Sequence, residues 1–350
     1  MDKIDDLVIQ LRSSDPEAAG QAQKELIMIG EPAVPSLIQC LGNVEDLLAE
    51  IAGYAIVEIG IPAIPALIEG LRCDYVWGRG EWIISLLADI GKPALPALID
   101  ALGDGDKIVR CRAAEALGEI EDASAIPALI NAMREKSKDA DMHHDYSWVV
   151  CSKAVNALVK IGAPAVPAQV EVLADDDEDV ISRASEVLVK IGKPSVPALI
   201  DAFLDSNAKV RSGAADALGK IMDVPSIPAL VRVLMDDDIR VQIKAANALR
   251  NICKESTTIG TLDEIEKRLL EGYAAINKKY WNHERLANAG YEISKLMNEA
   301  AQKKNSLASK RDIHLGDIPK PPKKGGMYRT LNPKHRTISG SAMRRTVRNG

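Results

Sequence analysis

Aromatic residues make up only 3% of this 350-residue chain, with a single Phe. Large rings therefore cannot fill a core, and Ala, Leu, Ile and Val must, which suits closely packed helices. No apolar run reaches the ~18 residues that a membrane-spanning helix needs, and nothing resembles a signal peptide, so the expectation is a soluble cytoplasmic protein. The five cysteines, Cys40, Cys73, Cys111, Cys151 and Cys253, stand alone without a CxxC pair. They read as small core residues in a reducing compartment, not as a disulfide framework. Walker loops, dinucleotide fingerprints and a Ser-His-Asp set are also missing, so no catalytic constellation and no cofactor is expected.

What the chain has in abundance is one phrase. "GKPSVPALIDAF" at Gly192–Phe203 recurs as "GEPAVPSLIQCL" at 30, "GIPAIPALIEGL" at 60, "GKPALPALIDAL" at 91 and "GAPAVPAQVEVL" at 162, with looser copies from 122 and 223. Its second prolines fall at 35, 65, 96, 127, 167, 197 and 228, at intervals of 30, 31, 31, 40, 30 and 31. A fixed period of this size marks a repeat array. Before each glycine runs an apolar stripe such as Val180, Ala184, Leu188 and Ile191, one face of an α-helix. The phrase then reads as punctuation: a left-handed glycine cap, a turn, and a new helix with proline in its first turn. Asp-rich stretches between the segments, such as "DDDED" at 175, lack calcium-loop spacing and fit helix N-caps.

A helix–turn–helix unit of this length, with paired prolines and "VRxxAAxALGxI" at Val109–Ile120 and again at Val210–Ile221, resembles HEAT repeats. It is most similar to the short HEAT-like repeats named for phycobilisome lyases. The resemblance implies an all-α fold, a right-handed α-solenoid of about eight helix pairs over residues 1–253. A helical hairpin over 261–302, opened by the capping-box sequence "TLDE", is expected to cap the stack. Residues 303–350 read as a flexible basic tail with the basic pairs Lys323-Lys324 and Arg344-Arg345. The net charge of −6 hides this split. Residues 301–350 carry 13 Lys+Arg against 2 acids, and residues 1–300 carry 31 against 48.

Departures from the internal pattern nominate a binding site. With the Leu or Ile of each Leu-x-x-Ile phrase as position zero (Leu26, Ile56, Leu87, Leu117, Leu158, Leu188, Leu218, Leu249), Tyr75 and Trp77 fall at −12 and −10. Tyr146 and Trp148 fall in the same register two repeats on, beside an insertion at 134–145 that holds His143 and His144. With Arg79, Trp82 and Arg112 these residues form a candidate partner-binding edge, since Tyr and Trp commonly anchor interfaces. The plainer reading is that the rings fill gaps where the stack bends. A second row of bases, at −5 and +2, reads either as a basic ribbon or as ordinary i,i+4 charge pairs.

Three functions stay open. One is a non-catalytic scaffold that binds a protein or peptide partner. A second is an enzyme by resemblance, such as a bilin lyase; a deoxyhypusine-hydroxylase-like di-iron site is rejected, because it needs several His-Glu pairs and only His283-Glu284 is present. The third uses the tail to hold nucleic acid or an acidic partner.

Overall fold

The Gly-x-Pro phrase does three jobs in succession. The Gly192 amide donates to the Leu188 carbonyl and ends one helix, with φ 76° and ψ −131°. That conformation is not the left-handed helical cap anticipated from sequence; it is an extended mirror conformation open essentially to glycine alone. The Ser195 amide then donates to the Gly192 carbonyl across one 3-10 turn over Lys193–Ser195, and the next α-helix begins at Val196 with Pro197 second. Both prolines sit where an N–H would lack an intrahelical acceptor. At an earlier copy the same device bends the chain by 112° between Leu47–Ile59 and Ile61–Gly70. Two copies without glycine use two residues instead. Glu121 and Met222 take the left-handed conformation, and Asp122 and Asp223 accept from the Ser124 and Ser226 amides.

The computed structural model describes residues 3–13, 15–42, 47–72, 78–135, 147–255, 258–280 and 284–309. Among them α1 (Lys3–Leu11) packs on α2 (Pro16–Ile29), α3 (Val34–Gln39) on α4 (Leu47–Ile59), and α5 (Ile64–Gly70) on α6 (Arg79–Ile90). The next pairs are α7 (Leu95–Ala101) with α8 (Lys107–Ile120), α9 (Ile126–Met133) with α10 (Ser147–Ile161), and α11 (Val166–Val172) with α12 (Glu178–Ile191). Then come α13 (Val196–Asp201) with α14 (Ala208–Ile221) and α15 (Ile227–Val233) with α16 (Ile239–Glu255). These are the eight pairs of the expected α-solenoid. Finally α17 (Ile259–Tyr280) packs on α15 and α18 (Glu284–Ser309) on α16, so the terminal hairpin continues both layers as a ninth, longer pair.

Two details of that hairpin differ from the sequence reading. Its cap is Thr258, whose Oγ1 accepts from the Thr261 amide, three residues before the "TLDE" site. Its second helix runs to Ser309, past the expected limit of 302. Lys304, only 8% exposed, is held between Asp263 and Glu266 of α17, and Ala308 is buried one turn on, so the last turns have partners that apolar periodicity alone does not reveal.

Each layer is built by repetition of small and branched residues. Ala33, Ala63, Ala94, Ala125, Ala165, Ser195 and Ser226 occupy one fully buried position of the phrase. Second helices approach closely through glycine: a Cβ on Gly118 would stand 2.8 Å from Ala157 Cα, and one on Gly219 only 2.5 Å from Ala248 Cα. Arg110 and Arg211, the arginines of the "VR" phrases, tie repeats together. Each forks onto a carboxylate of the following repeat, Glu135 or Asp236, and donates to two carbonyls of its own Asp-rich loop.

One core position breaks rank. Leu37, Leu67, Leu98, Leu129, Leu199 and Leu230 share a fully buried site, and the fifth copy puts Gln169 there, also fully buried. Neither its amide nitrogen nor its oxygen has a hydrogen-bond partner among the described residues. An unmet buried amide costs about 1–3 kcal/mol. Gln169→Leu should therefore raise stability in urea unfolding by that order; a loss would mean the amide has a partner that the described residues do not supply. Gly219→Ala, against the helix preference for alanine, should cost about 1–3 kcal/mol through overpacking. Gly20→Ala, where a Cβ meets nothing within 4 Å, should gain up to about 1 kcal/mol in the same assay. Equal effects at the two glycines would refute the close-approach argument.

Candidate functional site

On the second helices, positions −9, −5, −2 and +2 point away from the core stripe and form the solvent face of one layer. From the fourth repeat onward bases outnumber acids on this face, and every base is engaged. Lys153 meets Glu115 at 2.6 Å, Lys160 meets Glu119 at 2.5 Å and Lys190 meets Glu186 at 2.7 Å. Lys209 meets Asp176, Lys220 and Lys244 share Asp216, and Arg240 holds Asp238. Arg112 and Arg183 donate instead to the Leu71 and Met133 carbonyls at the ends of first helices. The row of bases is thus a set of charge pairs and carbonyl caps. Exposed pairs contribute about 0–1 kcal/mol each, so their main effect is to neutralise the face.

The first three repeats present a different surface. Their rows carry Met28, Leu47, Ile51, Tyr54 and Trp82, with Met28 76%, Leu47 69% and Tyr54 58% exposed. The helices bearing them are locked together. Gln23 Nε2 donates to the Ile51 carbonyl at 2.9 Å, and the Trp82 ring lies over Gly53, where a Cβ would stand 3.4 Å from it. The Trp82 indole N–H is buried with no acceptor among the described residues. A cavity of about 830 Å³ opens beside this face between the α1–α2 turn and α4, lined by Leu11, Ala19, Gln23, Leu47 and Ile51 among others. Arg12 lines it as well, and on α2, α4 and α6 Glu17, Glu50, Glu58, Glu81 and Asp89 are exposed with no Lys or Arg partner among the described residues. Tyr54 bonds Glu58 through its hydroxyl, which pushes the phenol upward from its ordinary value. Lys24 is the one base on these four rows in the first three repeats.

Of the residues nominated from sequence, four can be placed. Trp82 is the half-buried floor of the N-terminal face. Arg79 donates to the Leu41 carbonyl at 3.2 Å. The Arg112 guanidinium lies against Gly80, where a Cβ would stand 2.7 Å from it. Both arginines thus brace neighbouring repeats. Trp148, at the start of α10, is 66% exposed. Tyr75, Trp77, His143, His144, Tyr146 and the tail bases Lys323, Lys324, Arg344 and Arg345 lie outside the described residues. The sequence reading missed Met28, Leu47 and Tyr54, although the same register comparison marks them: their equivalents later in the chain are mostly Lys, Glu, Asp or Asn.

A family model described as HEAT repeats matches residues 64–141, 140–218, 166–250 and 196–271, more than half of the chain. The chain belongs to the HEAT-repeat family. HEAT repeats commonly mediate protein interactions through extended stacked surfaces. No curated protein matches the chain in sequence. Similar solved structures include an archaeal HEAT-like repeats protein from Thermococcus onnurineus NA1, 15% identical over 69% of this chain and 98% of that one, with a TM-score of 0.33. The complex of CpcE and CpcF of phycocyanin lyase from Nostoc sp. PCC7120 is 20% identical over 67% and 94%, with a TM-score of 0.28. Human deoxyhypusine hydroxylase is 19% identical over 79% and 98%, with a TM-score of 0.27.

The Asp-rich links of the HEAT units act as caps. Asp104, Asp175, Asp205 and Asp236 each accept from the amide two residues on, and Asp106, Asp177, Asn207 and Asp238 then cap α8, α12, α14 and α16 the same way. At Asp104 and Asp175 the bond from the amide two residues on is the largest cause holding the carboxyl below its ordinary value. Hydrogen bonds from Ser124, with Lys92 adding charge, hold Asp122 down to about 2; the Arg240 side chain and amide do the same for Asp238, also to about 2. A depressed folded-state pKa gives stability that is present above the ordinary carboxylate value near ~4 and is lost as pH falls through about 2. The melting temperature should accordingly drop steeply between about pH 4 and 2. Asp122→Asn with Asp238→Asn should make that drop shallower, and an unchanged slope in thermal melts would reject the assignment.

Proposed function

We propose that the protein is a non-catalytic interaction scaffold whose solenoid holds a peptide or protein segment. The binding edge is the N-terminal face of the second helices, with Met28, Leu47, Ile51, Tyr54 and Trp82 at its centre and the exposed Trp148 further along the stack. The observation that carries this reading is the contrast within one layer. In repeats four to eight the bases of these rows are engaged by acids or carbonyls, whereas in repeats one to three Met28, Leu47 and Tyr54 stand exposed on the same rows. Exposed apolar side chains grouped beside a cavity favour a partner, because water gains when they are covered. Tyr and Trp add area at little conformational cost.

Panning a random peptide display library on the full chain tests the reading. Selected peptides should lose at least tenfold in affinity on Leu47→Ser/Tyr54→Ser, which removes exposed apolar area and leaves the buried core untouched. Peptides that bind this variant and the original chain equally would show that the scaffold works through another surface.

A further inference from the structure

The polarity of this face, taken with the composition of the rest of the chain, narrows its occupant. The helices that carry these apolar residues also bear Glu50, Glu58, Glu81 and Asp89, exposed and without cationic partners among the described residues. Elsewhere on the layer the acids Glu115, Glu119, Glu186 and Asp216 are already engaged by lysines of the array. The opposite composition lies in residues 310–350, which hold 11 Lys+Arg against 2 acids, interspersed with Ile318, Met327, Tyr328, Leu331 and Val347. On the reading that the N-terminal face is a peptide-binding edge, we infer that its resident occupant is the chain's own C-terminal segment, residues 310–350. Basic side chains would meet these acids, and apolar ones would cover Leu47, Tyr54 and Met28.

Reach allows this. The described structure ends at Ser309 on α18, at the far end of the stack. Eight steps between neighbouring second-layer helices at about 8–10 Å separate the first repeat from the ninth pair, on the order of 60–80 Å. An extended chain covers about 3.3 Å per residue, so the 41 residues beyond Ser309 can span on the order of 130 Å. Tethering also supplies a high effective concentration, so a weak contact suffices for occupancy. An external partner would then bind by displacing the segment.

Zero-length carbodiimide cross-linking of the purified full chain at low salt, with peptide mapping of the monomer band, is the first test. Lys320, Lys323, Lys324 or Lys334 should join Glu50, Glu58, Glu81 or Asp89. These links should fall at least fivefold in Leu47→Ser/Tyr54→Ser, which keeps every acid, with circular dichroism confirming an unchanged fold. Tail links spread evenly over acids of the later repeats, links confined to a dimer band, or no tail links would each overturn the inference. A second readout uses a full chain carrying Lys323→Glu, Lys324→Glu, Arg344→Glu and Arg345→Glu. It should bind display-selected peptides several-fold more tightly than the original, and equal affinity would overturn self-occupancy. That result leaves the peptide-binding reading intact, whereas peptides insensitive to Leu47 and Tyr54 in both chains would remove the binding edge itself.

Discussion

Everything in this molecule depends on the shortness of its first helices. From α3 to α15 they run six to eight residues, well below the ~12–15 at which an isolated helix becomes even marginal in water. They persist only because both neighbours and the paired second helix bury their Leu and Ala positions. That dependence makes the buried phrase nearly invariant within the chain. It explains why the prolines are tolerated, since in so short a helix the first turn is a large share of the element. It also explains why arginines such as Arg112 and Arg183 reach across to carbonyls at the ends of preceding first helices.

How much of this was legible follows from where each signal resides. The period, the helix pairs and the buried stripes were readable because they depend on residue type at fixed spacing. The conformation of Gly192 was not: a left-handed cap and an extended mirror cap both call for glycine, and only ψ separates them. The hairpin ran longer than its apolar pattern because Lys304 is anchored by Asp263 and Glu266 of another helix. Arg79 and Arg112 looked like free contact residues, since a sequence register shows that a side chain leaves the core stripe but not that an unsatisfied carbonyl lies within its reach. Gln169 stood in plain view as "PAQV" where other copies read mostly "PALI" or "PALV". Its meaning needed the burial.

The candidate face was half legible for a related reason. Attention to aromatic outliers found Trp82 and Trp148 but passed over Met28 and Leu47, because an apolar residue in an apolar-rich chain is unremarkable until its helical face is known. The informative quantity was the row: Met28 stands in the row of Lys160, Lys190 and Lys220, and Leu47 in the row of Asp179, Lys209 and Arg240. A repeat protein supplies its own reference state for such comparisons, and no second sequence is needed to see that the first three repeats are different.

Charge then completes the argument. In repeats four to eight each base on the exposed rows is satisfied within the array, so that half of the layer offers an incoming ion little beyond what it already has. The first three repeats keep acids without cationic partners among the described residues beside uncovered apolar area, and both are met by one kind of ligand, a basic segment with apolar side chains. A ligand of purely basic character would leave Leu47 and Tyr54 wet, and a purely apolar one would leave the neighbouring carboxylates unpaired. The array thus specifies its ligand by what it leaves unsatisfied, and the same local rules that close the later repeats define where the open edge begins.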